Sequence, residues 1–267
     1  RRDAGGRRKA ARGDMPRIII GGQKRRAEET RAAASRLAGR QRDAAQAQLT
    51  AARSRVEVVD PLSAGLPPTG LAASRTVLAL DDVTAGYAPG QPVIRDLSLT
   101  ITGPERVAVT GPNGSGKSTL LALVAGTIGP WSGAVRTQVP LAMFDQRVSL
   151  LDPSLSIADN FLVRSPGATN NQCRAALARF RFRADAADRI VGTLSGGQML
   201  RAGLACVLGA PQPPQLLILD EPGNHLDIES LTAIETGLAA YDGALLVVSH
   251  DPAFLDAIGI TREIALG

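Results

Sequence analysis

The sequence predicts an α/β fold with a mainly parallel sheet, preceded by a long basic helical segment. From about Thr76 onward, short aliphatic runs of strand length alternate with helical stretches. Such runs, bounded by glycine, proline or aspartate, are typical of a parallel sheet covered on both faces. Before them, residues 1–55 hold 16 lysines and arginines against 5 acidic residues, a net charge of +11.

Composition excludes several classes of protein. The 267 residues are 44% hydrophobic and 21% charged, with a net charge of +5, which suits one large or two smaller globular domains. Only Cys173 and Cys206 are present, far apart in sequence, so we expect reduced thiols rather than a disulfide framework. No apolar run approaches the length of a membrane span, and the first residues lack the pattern of a signal peptide. A cytoplasmic protein is the expectation.

Three zones follow one another along the chain. Residues 1–59 are predicted to be a basic helical linker, with the tail of a first helix, a tip near 13–22 and a second helix over 23–56. Prolines and glycines over 60–75 indicate a linker, and 76–267 form the main domain. The basic charge has two interpretations: contact with a phosphate backbone, or a solvated arginine-rich helix.

Within the main domain, the pattern predicts particular strands and helices. The strands are Arg106–Thr110, Leu141–Phe144, Leu216–Leu219 and Ala244–Val248. One helix is predicted over Ser118–Gly126, and a second follows Ser195 and runs to about Gly209.

The motif G-x-x-x-x-G-K-[ST] occurs between the predicted strand ending at Thr110 and the helix beginning at Ser118. This context is the one that a phosphate-binding loop requires. Glycines let successive N–H groups turn inward, and the helix N-terminus adds positive potential. Lys117 is then expected to reach the β- and γ-phosphates, and the Ser118 hydroxyl to ligate Mg²⁺. The candidate nucleotide-binding residues are Gly111, Pro112, Asn113, Gly114, Ser115, Gly116, Lys117, Ser118 and Thr119.

Two further patterns carry chemistry. Asp220 and Glu221 end a predicted buried strand, where Asp220 suits the Mg²⁺ shell and Glu221 suits polarisation of a water at the γ-phosphate. Such pairs also occur as helix caps, but a phosphate-binding loop in the same chain favours the catalytic interpretation. A second anion-binding pattern precedes a helix, at Leu194, Ser195, Gly196, Gly197 and Gln198.

Together these motifs resemble an ATP-binding cassette (ABC) ATPase. Gln146 after a strand, the LSGGQ signature at 194–198, LLILDEP at 216–222 and His250 occur in that family's order. The resemblance covers about residues 76–267. It implies a P-loop NTPase fold with a parallel-sheet core, an antiparallel β edge and a helical subdomain. It implies ATP and Mg²⁺ as ligands, Gln146 as a Mg²⁺ ligand and catalytic residue, His250 at the γ-phosphate, and Tyr87 stacking on adenine.

A narrower resemblance is to the second half of an ABC-F protein. It rests on Asn224-His225-Leu226-Asp227 after the acidic pair, with Asp227 in the D-loop, and on the basic segment before the cassette. The family builds each ATP site from the phosphate loop of one cassette and the signature of another, so a second cassette is implied, in the same full-length chain or by homodimerisation. It also implies binding to the ribosome and tRNA through the linker. The candidate RNA contacts are Arg17, Ile18, Ile19, Ile20, Lys24, Arg25 and Arg26.

The sequence departs from the ABC-F pattern at Gly223, where the family usually has threonine. A glycine removes a hydroxyl and loosens the backbone beside Glu221, which puts normal hydrolysis in question. Three functions therefore stay open. They are an ATPase module of a translation or antibiotic-resistance factor, an ATPase subunit of a membrane transporter, and an ATP-gated RNA-binding clamp with vestigial hydrolysis.

Overall fold

A computed structural model describes residues 65–145, 148–223 and 226–267. The predicted helical linker, its tip, all candidate RNA contacts and Gln146 lie outside these described residues. The same holds for Asn224 and His225.

Two β-sheets form the framework of the described domain. Strands β1 (Thr76–Ala85), β2 (Ile94–Thr102) and β4 (Ser132–Thr137) form an antiparallel sheet in the order β2-β1-β4. The parallel sheet consists of β3 (Arg106–Thr110), β5 (Leu141–Phe144), β6 (Leu216–Asp220), β7 (Ala244–Val248) and β8 (Arg262–Ala265). Its order is β5-β6-β7-β3-β8. The expected antiparallel edge is thus a sheet of its own.

Helices cover the parallel sheet, and most of them begin at a polar side chain. They are α1 (Lys117–Val124), α2 (Ile157–Arg164), α3 (Asn170–Arg179), α4 (Gly196–Leu208), α5 (Ile228–Ala240) and α6 (Pro252–Ala257), with 3₁₀ turns at Ala184–Asp188 and Val191–Thr193. At the start of α2 to α6, a side-chain oxygen accepts a hydrogen bond from the first turn of the helix, as the N-cap rule requires. These N-cap residues are Ser156, Thr169, Ser195, Asp227 and Asp251.

The strand predictions are confirmed. Each of these apolar runs forms a strand whose two faces both pack against other parts of the domain. In β6, Leu217 and Leu219 belong to a core shared with α2 to α6, whereas Leu216 and Ile218 face a second core shared with α1 and the antiparallel sheet. Alternate residues of a strand point to opposite faces, so two cores require an uninterrupted apolar run. The strand extends one residue beyond the prediction, to Asp220.

Arg106, at the start of β3, connects this strand to the ends of two helices. Its guanidinium donates to the carbonyl of Leu238 at 2.9 Å and also to the carbonyls of Tyr241 and Ile258. These carbonyls lie at the C-terminal ends of α5 and α6, where helices leave acceptors unsatisfied. Burial lowers the pKa of Arg106 from its usual value.

The described part of the predicted proline- and glycine-rich linker lies against the domain. The backbone N–H of Thr69 donates to Asp242 Oδ1 at 3.0 Å, and its carbonyl accepts from Gln215 Nε2 at 3.0 Å. Leu66 and Leu71 pack against the two cores. Residues 66–71 are therefore attached to the domain by both polar and apolar contacts.

Candidate nucleotide-binding site

The phosphate loop connects the carboxyl end of β3 to α1 and lies close against Leu266, which follows β8. Gly111 has φ 140° and Gly116 has φ 99°, both in the left-handed region that favours glycine. A Cβ on Gly111 would lie 2.2 Å from the carbonyl oxygen of Leu266. The loop needs glycine at this position for space as well as for conformation.

Lys117 is buried and turned onto the loop that it follows. Its ammonium Nζ donates to the carbonyl of Gly111 at 2.8 Å and to that of Pro112 at 2.9 Å. Only 8% of the residue is exposed. The ammonium group therefore lies beside the loop. Phosphate oxygens of a bound nucleotide would accept hydrogen bonds from the same ammonium group in place of these carbonyls.

Asp220 and Ser118 supply oxygen atoms of the kind that Mg²⁺ prefers. Both line the same cleft as Lys117. Burial raises the pKa of Asp220, as does the nearby charge of Asp145, while Lys117 acts in the opposite direction. A carboxylate and a hydroxyl beside a phosphate loop fit Mg²⁺, which is usually held by few protein oxygens together with phosphates and waters.

Glu221 adopts a backbone conformation that is uncommon for its residue type. Its φ is 51°, which costs a side-chain-bearing residue roughly 1–2 kcal/mol. The conformation is held by its N–H, which donates to the Val248 carbonyl at 2.9 Å. Its Oε1 lies 3.3 Å from Nε2 of His250. Burial raises the pKa of Glu221, and the charge of His250 opposes that effect. A carboxylate with a raised pKa next to an imidazole suits proton transfer.

One cleft of about 410 Å³ brings most of the predicted residues together. Tyr87 stands at its rim with 67% of the residue exposed. The predicted residues that line the cleft are Tyr87, Asn113, Gly114, Gly116, Lys117, Ser118, Thr119, Asp220 and Glu221. Gly111, Pro112 and Ser115 belong to the loop itself. His250 reaches the site through its contact with Glu221.

The signature residues do not line this cleft. Leu194 is buried, whereas Ser195 is exposed at the start of α4. The Ser195 hydroxyl oxygen accepts from the N–H of Gln198 at 3.3 Å, and the Gln198 side chain accepts from the N–H of Ser195 at 3.4 Å. Arg189 donates to the same Gln198 oxygen at 3.2 Å. This reciprocal arrangement is a capping box, which satisfies the first turn of the helix.

Gly197 lets the signature helix touch the start of α5. A Cβ on Gly197 would lie 2.9 Å from the Cβ of Ser230. Asp227, predicted in the D-loop, caps α5 by accepting from the N–H of Ser230 at 2.7 Å. This hydrogen bond lowers the pKa of Asp227. The signature and the D-loop therefore form one contact region, apart from the cleft.

Sequence reasoning missed several residues of the site. Val93 and Val248 line the cleft, and Asp145 acts on Asp220 through its charge. The position of Asp145 directly after β5, at the carboxyl edge of the sheet, was an available signal. The Ser115 hydroxyl oxygen is buried and has no hydrogen-bond partner among the described residues. Such a donor inside the loop is consistent with an anion as its partner.

Comparison with known proteins identifies the domain. The model of the family described as "ABC transporter" matches residues 94–224. This chain contains an ABC ATPase domain. The motif-based prediction of that family is confirmed, and the fold is that of an ABC cassette.

The cassette is similar to proteins of the ABC-F family. ATP-binding protein Uup of Haemophilus influenzae is 38% identical over 194 residues, covering 70% of this chain and 30% of that protein. The energy-dependent translational throttle protein EttA of Mycobacterium tuberculosis is 35% identical over 195 residues, with coverage of 71% and 34%. ABC transporter F family member 3 of Arabidopsis thaliana is 36% identical over 178 residues, with coverage of 66% and 25%. The chain thus matches a quarter to a third of the length of these relatives.

Solved structures share the fold of the cassette. The ADP- and phosphate-bound dimer of the ATP-binding cassette MJ0796 matches with a TM-score of 0.60 at 23% identity, covering 71% of this chain and 94% of that chain. An ATP-bound bacterial Atm1-family exporter matches with a TM-score of 0.63 at 22% identity, with coverage of 80% and 40%. In the described part of this chain, no helix is both long enough and apolar enough to cross a membrane.

Proposed function

We propose that this chain is the ATP-binding and ATP-hydrolysing module of an ABC-F protein that acts on the ribosome in the cytoplasm. Its task is either translation regulation or ribosome protection against antibiotics. The observation that carries the ATPase part is the cleft in which Lys117, Ser118, Asp220 and Glu221 meet. Such a set binds a triphosphate and positions a water beside it.

Some of the proposed site residues bind the nucleotide, and others act in proton transfer. Lys117 and the N–H groups of the phosphate loop hold the β- and γ-phosphates, while Tyr87 stacks on the base. Ser118, Asp220 and Gln146 hold Mg²⁺, which neutralises charge on the phosphates. Glu221 orients the attacking water and accepts its proton, and His250 contacts the γ-phosphate. Positioning and charge stabilisation then supply most of the rate enhancement.

A second cassette completes the site. The exposed Ser195 and Gly196 lie outside the chain's own cleft, which supports a role at the ATP of a partner. That partner is either another cassette of the full-length protein or a second copy of this chain. Closure of the two cassettes is then the motion that ATP drives.

The ribosome part of the proposal rests on charge and on relatives. Residues 1–55 carry a net charge of +11, whereas residues 56–267 carry −6. A basic segment of this kind favours binding to a phosphate backbone. The relative EttA is described as a translational throttle protein, and other relatives are named as F-family members. Arg17, Lys24, Arg25, Arg26 and the Ile18–Ile20 triplet are the proposed RNA contacts.

Co-pelleting with ribosomes tests this proposal. The Glu221→Gln variant of the chain is mixed with ribosomes in ATP or in ADP, after its oligomeric state in each nucleotide has been measured. We expect pelleting that depends on ATP. An ATP-induced dimer that does not pellet would contradict the ribosome proposal and favour a transporter subunit. For a monomer that does not pellet, the experiment is repeated on the full-length protein with both cassettes, where absence of pelleting would contradict the proposal.

A clamp with vestigial hydrolysis is the second candidate, because Gly223 lies two residues from Glu221. It predicts ATP binding with negligible release of phosphate, with or without ribosomes. Ribosome-stimulated phosphate release that the Glu221→Gln variant lacks would exclude the clamp.

A further inference from the structure

We propose that Trp131 is a positioning residue for the base subsite and fixes the loop that carries Tyr87. The inference rests on the proposed ATP-binding function and extends it to a residue outside the recognised motifs. Trp131 does not line the cleft, so its action is through the loop and not through contact with ATP.

Tyr87 lies in a short reversal between β1 and β2. The reversal is closed at its base, where the N–H of Val93 donates to the carbonyl of Ala85 at 2.8 Å. Within it, the N–H of Gln91 donates to the carbonyl of Ala88 at 3.0 Å. Because Tyr87 itself is 67% exposed, its ring has little packing of its own to hold it. The position of the ring is therefore set by the backbone beneath it.

Trp131 packs on that backbone at the residue before Tyr87. A Cβ on Gly86 would lie 2.9 Å from Cη2 and 3.2 Å from Cζ2 of the Trp131 indole, and 2.6 Å from the carbonyl oxygen of Gln91. The indole edge and the Gln91 carbonyl thus fill the space where a side chain at position 86 would lie. The backbone N–H of Trp131 donates to the carbonyl of Thr84 at 2.8 Å, which anchors the Trp131 backbone beside the end of β1.

The location of Trp131 argues against a simple core function. It belongs to neither of the two apolar cores, and 43% of the residue is exposed. An indole in the core of the domain would bury far more of its surface. The structure places its indole beside Gly86, in the reversal that carries Tyr87. Since stacking depends on the offset and angle of the two rings, fixing that reversal fixes the strength of stacking on a base.

The test compares ATP with inorganic triphosphate, which has phosphates but no base. Binding of each ligand with Mg²⁺ is measured by calorimetry for the wild type, Trp131→Ala, Trp131→Phe, Tyr87→Ala and the double alanine variant. We expect Trp131→Ala to weaken ATP binding by up to about tenfold, with triphosphate binding unchanged. Trp131→Phe should restore most of the loss. The double variant should bind ATP no more weakly than Tyr87→Ala, because Trp131 acts through Tyr87.

Two further measurements do not depend on hydrolysis, and the first needs no nucleotide. Amide hydrogen exchange without nucleotide should become faster over residues 86–93 in Trp131→Ala and stay unchanged in the helices. Trp131 is the sole tryptophan of the chain, so its emission reports on the reversal directly. Emission should change with ATP and not with triphosphate, and this response should be lost in Tyr87→Ala.

The outcomes separate this inference from the proposed function. Equal weakening of both ligands by Trp131→Ala, no weakening, or additive losses in the double variant would each overturn it. If the wild type binds triphosphate and ATP equally tightly, the base subsite is refuted while the phosphate site stands. If the wild type binds neither ligand, the ATP-binding function and this inference both fail.

Discussion

The cleft and the signature region both contain the N-terminus of a helix, yet the two helices begin in opposite ways. At the cleft, α1 begins after Gly116, which has no side chain and makes no cap. At the signature, α4 begins with a capping box in which Ser195 and Gln198 satisfy each other's N–H groups. One helix therefore leaves its first N–H donors for a ligand, and the other has already used one of them.

This difference predicts that the two regions contribute in different ways to the proposed binding of ATP. The uncapped start of α1 offers backbone donors and the charge of Lys117, which suffice to hold a phosphate. At the signature, the Ser195 oxygen accepts from Gln198, but its hydroxyl proton is still available to donate. We therefore expect the signature to bind ATP weakly by itself and to contribute mainly when two cassettes have closed on each other. The predictions below test that division.

The largest effect is expected at Glu221. Its replacement by glutamine removes the proton acceptor, so hydrolysis should fall by about 100-fold or more, while ATP binding in the cleft is kept. Phosphate release and calorimetry measure the two quantities. Asp185→Asn, at an exposed carboxylate in a 3₁₀ turn, is the matched control and should change neither. A variant that still hydrolyses ATP at the wild-type rate would contradict the role of Glu221.

The next effect is expected where the signature meets α5. Gly197→Ala places a Cβ 2.9 Å from Ser230, so the free energy of unfolding should fall by about 1–3 kcal/mol. Hydrolysis should fall with it, whereas binding of ATP to the isolated cleft should not. Gly196→Ala is the control for stability alone, because among the described residues no atom lies within 4 Å of its Cβ position. Weakened ATP binding in Gly197→Ala would show that the two regions are not separable.

A smaller effect is expected at Gly223. Its φ lies outside the left-handed region, and no atom of the described residues lies within 4 Å of its Cβ position, so this part of the structure has room for the threonine usual in the family. Gly223→Thr should stabilise the domain by about 0.4–1 kcal/mol through the unfolded state. We expect a few-fold faster release of phosphate, measured beside Gly223→Ala. Negligible release in both variants and in the wild type would favour the clamp.

The smallest effect is a difference in pH dependence between two carboxylates. Burial raises the pKa of Glu221, so its ionised form destabilises the fold at neutral pH, and Glu221→Gln should unfold at a higher temperature than the wild type. The difference in unfolding temperature between Glu221→Gln and the wild type should disappear as the pH falls through the raised pKa. Asp227 has a lowered pKa because it accepts a hydrogen bond from Ser230, so its ionised form stabilises the fold at neutral pH. Asp227→Asn should therefore unfold at a lower temperature than the wild type at pH 7. This difference in unfolding temperature should vanish as the pH falls through the lowered pKa. Thermal unfolding from pH 7 downward, with ~1 pH step between points, measures both. Slopes of the same sign would contradict this contrast.

Much of the fold was predictable because the apolar runs are short and continuous. The strands Arg106–Thr110, Leu141–Phe144 and Ala244–Val248 have the predicted bounds. The helix predicted over Ser118–Gly126 occupies Lys117–Val124, and the signature helix ends at Leu208, next to the predicted Gly209. For these elements, the local sequence pattern and the burial in the folded domain favour the same secondary structure.

The remaining features depend on residues that are distant in sequence. The contact between Glu221 and His250, the positive φ of Glu221 and the packing of Trp131 on Gly86 each require the folded sheet. No periodicity encodes them. The antiparallel strands were expected only from the family resemblance, because their register contains shifts along β1 that no alternation of residues reveals.

The hydrogen bonds of the Arg106 guanidinium affect how the domain unfolds. This guanidinium joins the first residue of β3 to the last turns of α5 and α6, and β3 runs directly into the phosphate loop. Opening any of these elements leaves a partly buried cation or several carbonyls without partners. The strand and the two helices are therefore expected to exchange their amide hydrogens as one cooperative unit, at a rate set by global unfolding.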